Sequence, residues 1–140
     1  MVAYKKNTMY RNLIVITLVL LVTSSCSCLK TFYDNKWIVG SWSGTGYQVD
    51  EAQWEVELEV DKCGDITINY PDLYCNGYWT RLSESEGIVS LIETIESGTD
   101  NCNQGVEIEI FYMDKKTIEV LFYIDWYSDD PVATAELKRK

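Results

Sequence analysis

The chain has 140 residues, with 12 Lys+Arg against 22 Asp+Glu and no histidine, for a formal net charge of −10. Such acidity repels phosphate and argues against nucleic-acid partners. The missing histidine excludes Ser-His-Asp and Cys-His catalysis in their usual forms, and histidine metal sites with them. Five Trp, ten Tyr and three Phe supply the core of one small domain.

The first element in chain order is a largely apolar run, Leu13 to Val22, behind Lys5, Lys6 and Arg11 and ahead of Thr23, Ser24, Ser25 and Cys26. This order predicts an export signal over residues 1–25. The run is shorter than the about 20 apolar residues that an ordinary membrane span needs. Small residues directly before a cysteine resemble the bacterial lipobox, here Thr23-Ser24-Ser25-Cys26 without the customary leucine. The resemblance implies acylation of Cys26, and two acyl chains suffice for stable anchoring. The expectation is a lipoprotein of the cell envelope, extracytoplasmic and held to a membrane by its N-terminal lipid. Residues 26–36 would form the tether and 37–140 the folded domain. Loss of the signal removes three basic residues and leaves nine against 22 acidic ones, a net charge of −13.

With Cys26 acylated, Cys28, Cys63, Cys75 and Cys102 remain in an oxidising compartment, where four cysteines allow three connectivities. Cys75 and Cys102 both sit beside turn-like Asn and Gly residues, which favours pairing them, and Cys28 with Cys63 follows. A bridge of that span stabilises by roughly 3 to 4 kcal/mol on the loop-entropy estimate.

Downstream the pattern has a period of two. Trp37 to Val49 is strand-like, with Gly40, Gly44 and Gly46 marking bends or close backbone approach. Trp54, Val56, Leu58 and Val60 alternate with Glu55, Glu57 and Glu59, as in a half-buried antiparallel strand. Lys62 to Asp65 turns the chain into Ile66 to Tyr70, and Pro71 ends that strand by removing a ladder donor. A strand over Tyr74 to Leu82 follows, then a polar loop over Ser83 to Gly87 and an apolar segment over Gly87 to Glu96. Ser97 to Gly105 is the strongest loop signal in the chain. Val106 to Tyr112 and Thr117 to Trp126 form a hairpin around Met113 to Lys116, and Val132 to Arg139 is the last strand after the Tyr127 to Pro131 break. The expected fold is all-β, an antiparallel up-and-down barrel of about eight strands or a sandwich.

Two resemblances favour the barrel. Gly40-Ser41-Trp42 is similar to the G-x-W of lipocalins, whose tryptophan closes the barrel floor beneath a basic residue near the last strand, a place that Arg139 fits. A broader set is Trp42-x-Gly44 with Gln48, Tyr70-Pro71-x-Leu73-x-Cys75-x-Gly77-x-Trp79, Glu93-x-Ile95-x-x-Gly98-x-x-x-Cys102 and Leu137-x-Arg139. It resembles a small extracytoplasmic β-domain of bacterial secreted proteins and membrane kinases. That resemblance, which brings no settled activity, implies a Cys75–Cys102 bridge as well.

Few residues point to chemistry. Most acids alternate with apolar residues and read as solvated faces, not as a glycosidase pair. Asp125, Ser128, Asp129 and Asp130 lack an EF-hand pattern and read as a charged turn. No cofactor or metal is expected, and no catalysis. Glu93 stands apart: if Leu91 and Ile95 face the core, so does Glu93, and a carboxylate there needs a partner such as Arg81, Gln48 or a tyrosine hydroxyl. A ligand cup lined by Gln48, Tyr70, Trp79, Arg81, Glu93, Tyr123 and Trp126 is the candidate site. The expected function is non-catalytic binding of a small apolar ligand or a partner protein. The alternative is an inhibitor or immunity-like lipoprotein whose acidic surface meets a basic enzyme.

Overall fold

A computed structural model describes Phe32 and residues 34–125 and 127–140. The expected signal, the lipidation site Cys26, Cys28 and Trp126 lie outside the described residues. Eight strands follow one another around a closed barrel: β1 (Gly40–Gln48), β2 (Gln53–Val60), β3 (Ile66–Tyr70), β4 (Cys75–Ser85), β5 (Ile88–Ser97), β6 (Glu107–Asp114), β7 (Thr117–Tyr123) and β8 (Ala133–Arg139). Every neighbouring pair is antiparallel, and β1 closes the barrel on β8 from Trp42 opposite Arg139 to Gln48 opposite Ala133. This is the up-and-down barrel that the alternation implies. Val56, Leu58 and Val60 of β2, Ile108 and Ile110 of β6, and Ile118 and Val120 of β7 point into a common core.

Several boundaries differ from expectation. β4 runs on to Ser85, because Glu84 and Ser85 pair with Val89 and Ile88 beyond an irregularity at Arg81 to Ser83. Polar residues suit that hairpin end, where Ser83 and Ser85 are exposed and Glu84 pairs with Arg81. β1 begins at Gly40, because Lys36–Ile38 is a 3₁₀ turn that buries Ile38. β7 stops at Tyr123, short of the expected Trp126.

The expected tether is also shorter on the domain side. Phe32 and Asn35 are fully buried. The Asn35 amide donates to the Ser85 carbonyl at 2.9 Å, and its oxygen accepts from Gly87 N at 3.1 Å and from Trp37 Nε1 at 2.8 Å. One polar side chain thus fastens the N-terminal segment to the β4–β5 turn.

That segment closes one end of the barrel. Trp42, 1% exposed, donates through Nε1 to the Ile38 carbonyl at 2.7 Å. The Arg139 guanidinium lies over the Trp42 ring, 4.1 Å from its centroid. Its nitrogens donate to the carbonyls of Trp37 at 2.5 Å, Val39 at 2.8 Å and Lys115 at 3.1 Å. Trp42 and Arg139 therefore meet as a floor.

The bridge between Cys75 and Cys102 joins the start of β4 to the β5–β6 loop. Cys63, in the β2–β3 turn, is disulfide-bonded as well; the pairing expected for it, with Cys28, falls on a residue outside those described. Gly98 sits against the Cys75–Cys102 bridge at φ +75°, where a Cβ would strike the Tyr74 carbonyl and Cys75. Gly98→Ala is expected to destabilise by at least about 1–2 kcal/mol, from left-handed backbone strain and from the clash. A lowered denaturant midpoint with an unchanged slope would register it.

Candidate functional site

The end opposite the floor is open. The β1–β2, β3–β4, β5–β6 and β7–β8 connections surround a cavity of about 340 Å³. Trp54, Tyr70, Val106, Phe122 and Ile124 make its walls, and Gln48, Asp50 and Tyr127 stand among its lining residues toward the rim. The lower half of the barrel is packed with Leu58, Ile110 and their neighbours, so the cup is shallow. Trp54 stands over Gly46, where an added Cβ would lie 2.5 Å from its indole ring. Phe122 meets Trp54 and Trp79 edge-on, at centroid distances of 6.0 and 6.2 Å. The aromatic wall is therefore packed through edge-to-face contacts among its own rings.

Glu93 lies at the base, 5% exposed and facing inward between Leu91 and Ile95 on β5. Its Oε1 accepts from the Tyr70 hydroxyl at 2.5 Å and from Trp79 Nε1 at 2.9 Å. Inward positions on β3 and β4 supply the two donors, Tyr70 from the end of β3 and Trp79 from directly opposite Glu93 on β4. Burial raises the Glu93 pKa above the usual carboxylate range, against the lowering effect of these two hydrogen bonds. The Tyr70 hydroxyl is pushed well above its ordinary value by burial first and then by the Glu93 charge.

The loop over the cup is tied down locally. Glu93 N donates to the Val106 carbonyl at 2.9 Å, and Gly105 N to the Glu93 carbonyl at 3.2 Å. Beyond them the Gln104 side chain imitates a strand: its oxygen accepts from Ile95 N at 3.0 Å and its nitrogen donates to the Ile95 carbonyl at 2.7 Å. With the Cys75–Cys102 bridge, these bonds fix a segment whose composition is that of a free loop.

Of the residues expected to line a ligand site, Tyr70, Trp79 and Glu93 come together in one cluster, and Gln48 lies at the mouth. Two are corrected. Arg81 is at the closed end, paired with Glu84 at 2.6 Å and stacked over Phe32 at 4.6 Å, because β4 runs from the cup toward the floor. Tyr123 stands on the outer wall, where its hydroxyl donates to Glu109 at 3.1 Å, because Phe122 takes the inward position beside it. Trp126 lies outside the described residues. Trp54, Val106 and Phe122 were legible only as core, and no sequence signal marks Gln104. Among the described residues no group of three or more Cys, Asp or Glu side chains is placed to hold a metal ion.

No protein-family model and no curated protein matches the chain. Its fold is similar to a solved structure described as a de novo designed, fluorescence-activating β-barrel. The two are 17% identical, with a TM-score of 0.51 over 78% of this chain and all of the designed one. At that identity the likeness speaks for the fold: a closed eight-stranded antiparallel barrel.

Proposed function

We propose that this protein is a non-catalytic binding barrel that holds a small ligand in the cup above Glu93. The observation that carries this reading is the buried carboxyl at the base of an aromatic-walled cavity of about 340 Å³, a size within the range of small-molecule sites. The designed barrel, described as fluorescence-activating, lends support by architecture. The export and lipidation pattern around Cys26 adds an extracytoplasmic address. Phe32 and Asn35 pack at the floor, the end opposite the mouth of the cup.

Titration with the uncharged probe N-phenyl-1-naphthylamine tests this. The expected result is saturable fluorescence enhancement with one site per chain, abolished by Ala133→Phe, which fills the cup from β8. Absence of saturation, or binding undiminished in an Ala133→Phe protein that melts normally, would overturn the reading.

A further inference from the structure

We infer that the cup selects small organic cations, an ammonium group carried on an aromatic or alkyl body, through the free oxygen of Glu93. The inference rests on the cup being a ligand site and names the chemistry of what enters it.

Both donors to Glu93 converge on Oε1. Oε2 has no hydrogen-bond partner among the described residues. No fully enclosed side-chain oxygen or nitrogen is left without a partner there, so Oε2 keeps accessible surface, and Glu93 borders the cavity. A carboxylate oxygen left open in an otherwise buried group accepts a charge-assisted hydrogen bond from whatever donor enters. The surroundings select the charge of that donor. Asp50 is the other charged residue of the lining, which contains no Lys or Arg, and the whole chain is acidic. A carboxylate or phosphate ligand would meet Glu93 with no cation to offset it, whereas an ammonium group is attracted on approach. Trp54, Tyr70 and Phe122 around it present ring faces and edges that suit both an apolar body and a cation.

Three probes that share an indole body and differ in the head group separate the possibilities: tryptamine, 3-(2-hydroxyethyl)indole and indole-3-acetate, each measured by calorimetry on the oxidised full chain near neutral pH. Tryptamine is expected to bind about tenfold to hundredfold more tightly than the alcohol, and the acid most weakly, as a charged hydrogen bond in a buried site implies. Glu93→Gln should abolish the preference, bringing the amine down to the affinity that the same variant shows for the alcohol. Equal affinities for amine and alcohol, or a preference for the acid, would overturn the cation inference while naphthylamine binding keeps the cup. So would failure of all three indoles where the naphthylamine still binds. If the naphthylamine fails as well, the cup reading falls and the inference goes with it. The comparison among probes on the unmodified protein does not depend on any variant folding.

Discussion

Trp42→Ala is expected to lower the unfolding free energy by about 3–5 kcal/mol, the range for removing a large buried aromatic side chain. The site favours the upper part of that range. Trp42 is almost wholly enclosed, and its indole N–H satisfies a buried carbonyl of Ile38. The Arg139 guanidinium rests on the ring and from there reaches Trp37, Val39 and Lys115, which belong to the N-terminal segment and the β6–β7 turn. Without the ring, the cation loses its stacking surface, worth about 0.5–2 kcal/mol, and the floor loses the plate against which its segments are registered. Trp42→Phe separates the contributions. It keeps most of the apolar volume and removes the donor to Ile38, so a smaller loss of about 1–3 kcal/mol follows. Guanidinium unfolding of the two variants beside the parent measures this; a loss under about 1 kcal/mol for Trp42→Ala would show that the floor is not held by the ring.

The faces of the strands were legible because alternation is a local property. Trp54 to Val60 reads as one inward row in the sequence and is one in the barrel, and the same parity turns Glu93 inward beside Leu91 and Ile95. Height along the barrel is not local. Arg81 is on the inward side of β4, as parity indicates, yet it sits near the floor because register across β3, β4 and β5 sets how far each strand has climbed. The same register sets Trp79 directly opposite Glu93; the tyrosine hydroxyl could be named by type but not chosen, and the indole donor was not named at all. Tyr123 illustrates the other error: its residue type suggested a ligand wall, while the inward Phe122 next to it places it outside. The N-terminal segment misled for a third reason. Its composition is that of a linker, and a single side chain, Asn35, with three hydrogen bonds to distant or neighbouring groups, turns its last residues into part of the floor.

Glu93→Leu is expected to cost about 2–6 kcal/mol, because the Tyr70 hydroxyl and the Trp79 N–H would each be left buried without an acceptor, at about 1–3 kcal/mol apiece. The added apolar contact is too small to offset two orphaned donors. Glu93→Gln keeps an acceptor where Oε1 stands and removes the buried charge, so it should fold close to the parent. Its effect depends on pH in a direction that the environment fixes. The carboxyl's folded pKa lies above its unfolded value of about 4.3. Its contribution to stability is therefore present in full below about pH 4 and is lost as the pH rises through the folded pKa, since the unfolded chain ionises first. Relative to the parent, Glu93→Gln should gain in melting temperature between acid and neutral pH, whereas Glu93→Leu should remain the least stable of the three throughout. A melting-temperature difference between parent and Glu93→Gln that stays constant across this window would mean that Glu93 ionises in the barrel as readily as in water. Oε2 would then be solvated rather than held in the low-polarity cup, and the same carboxylate would lose the advantage that lets one oxygen discriminate an ammonium group from a hydroxyl.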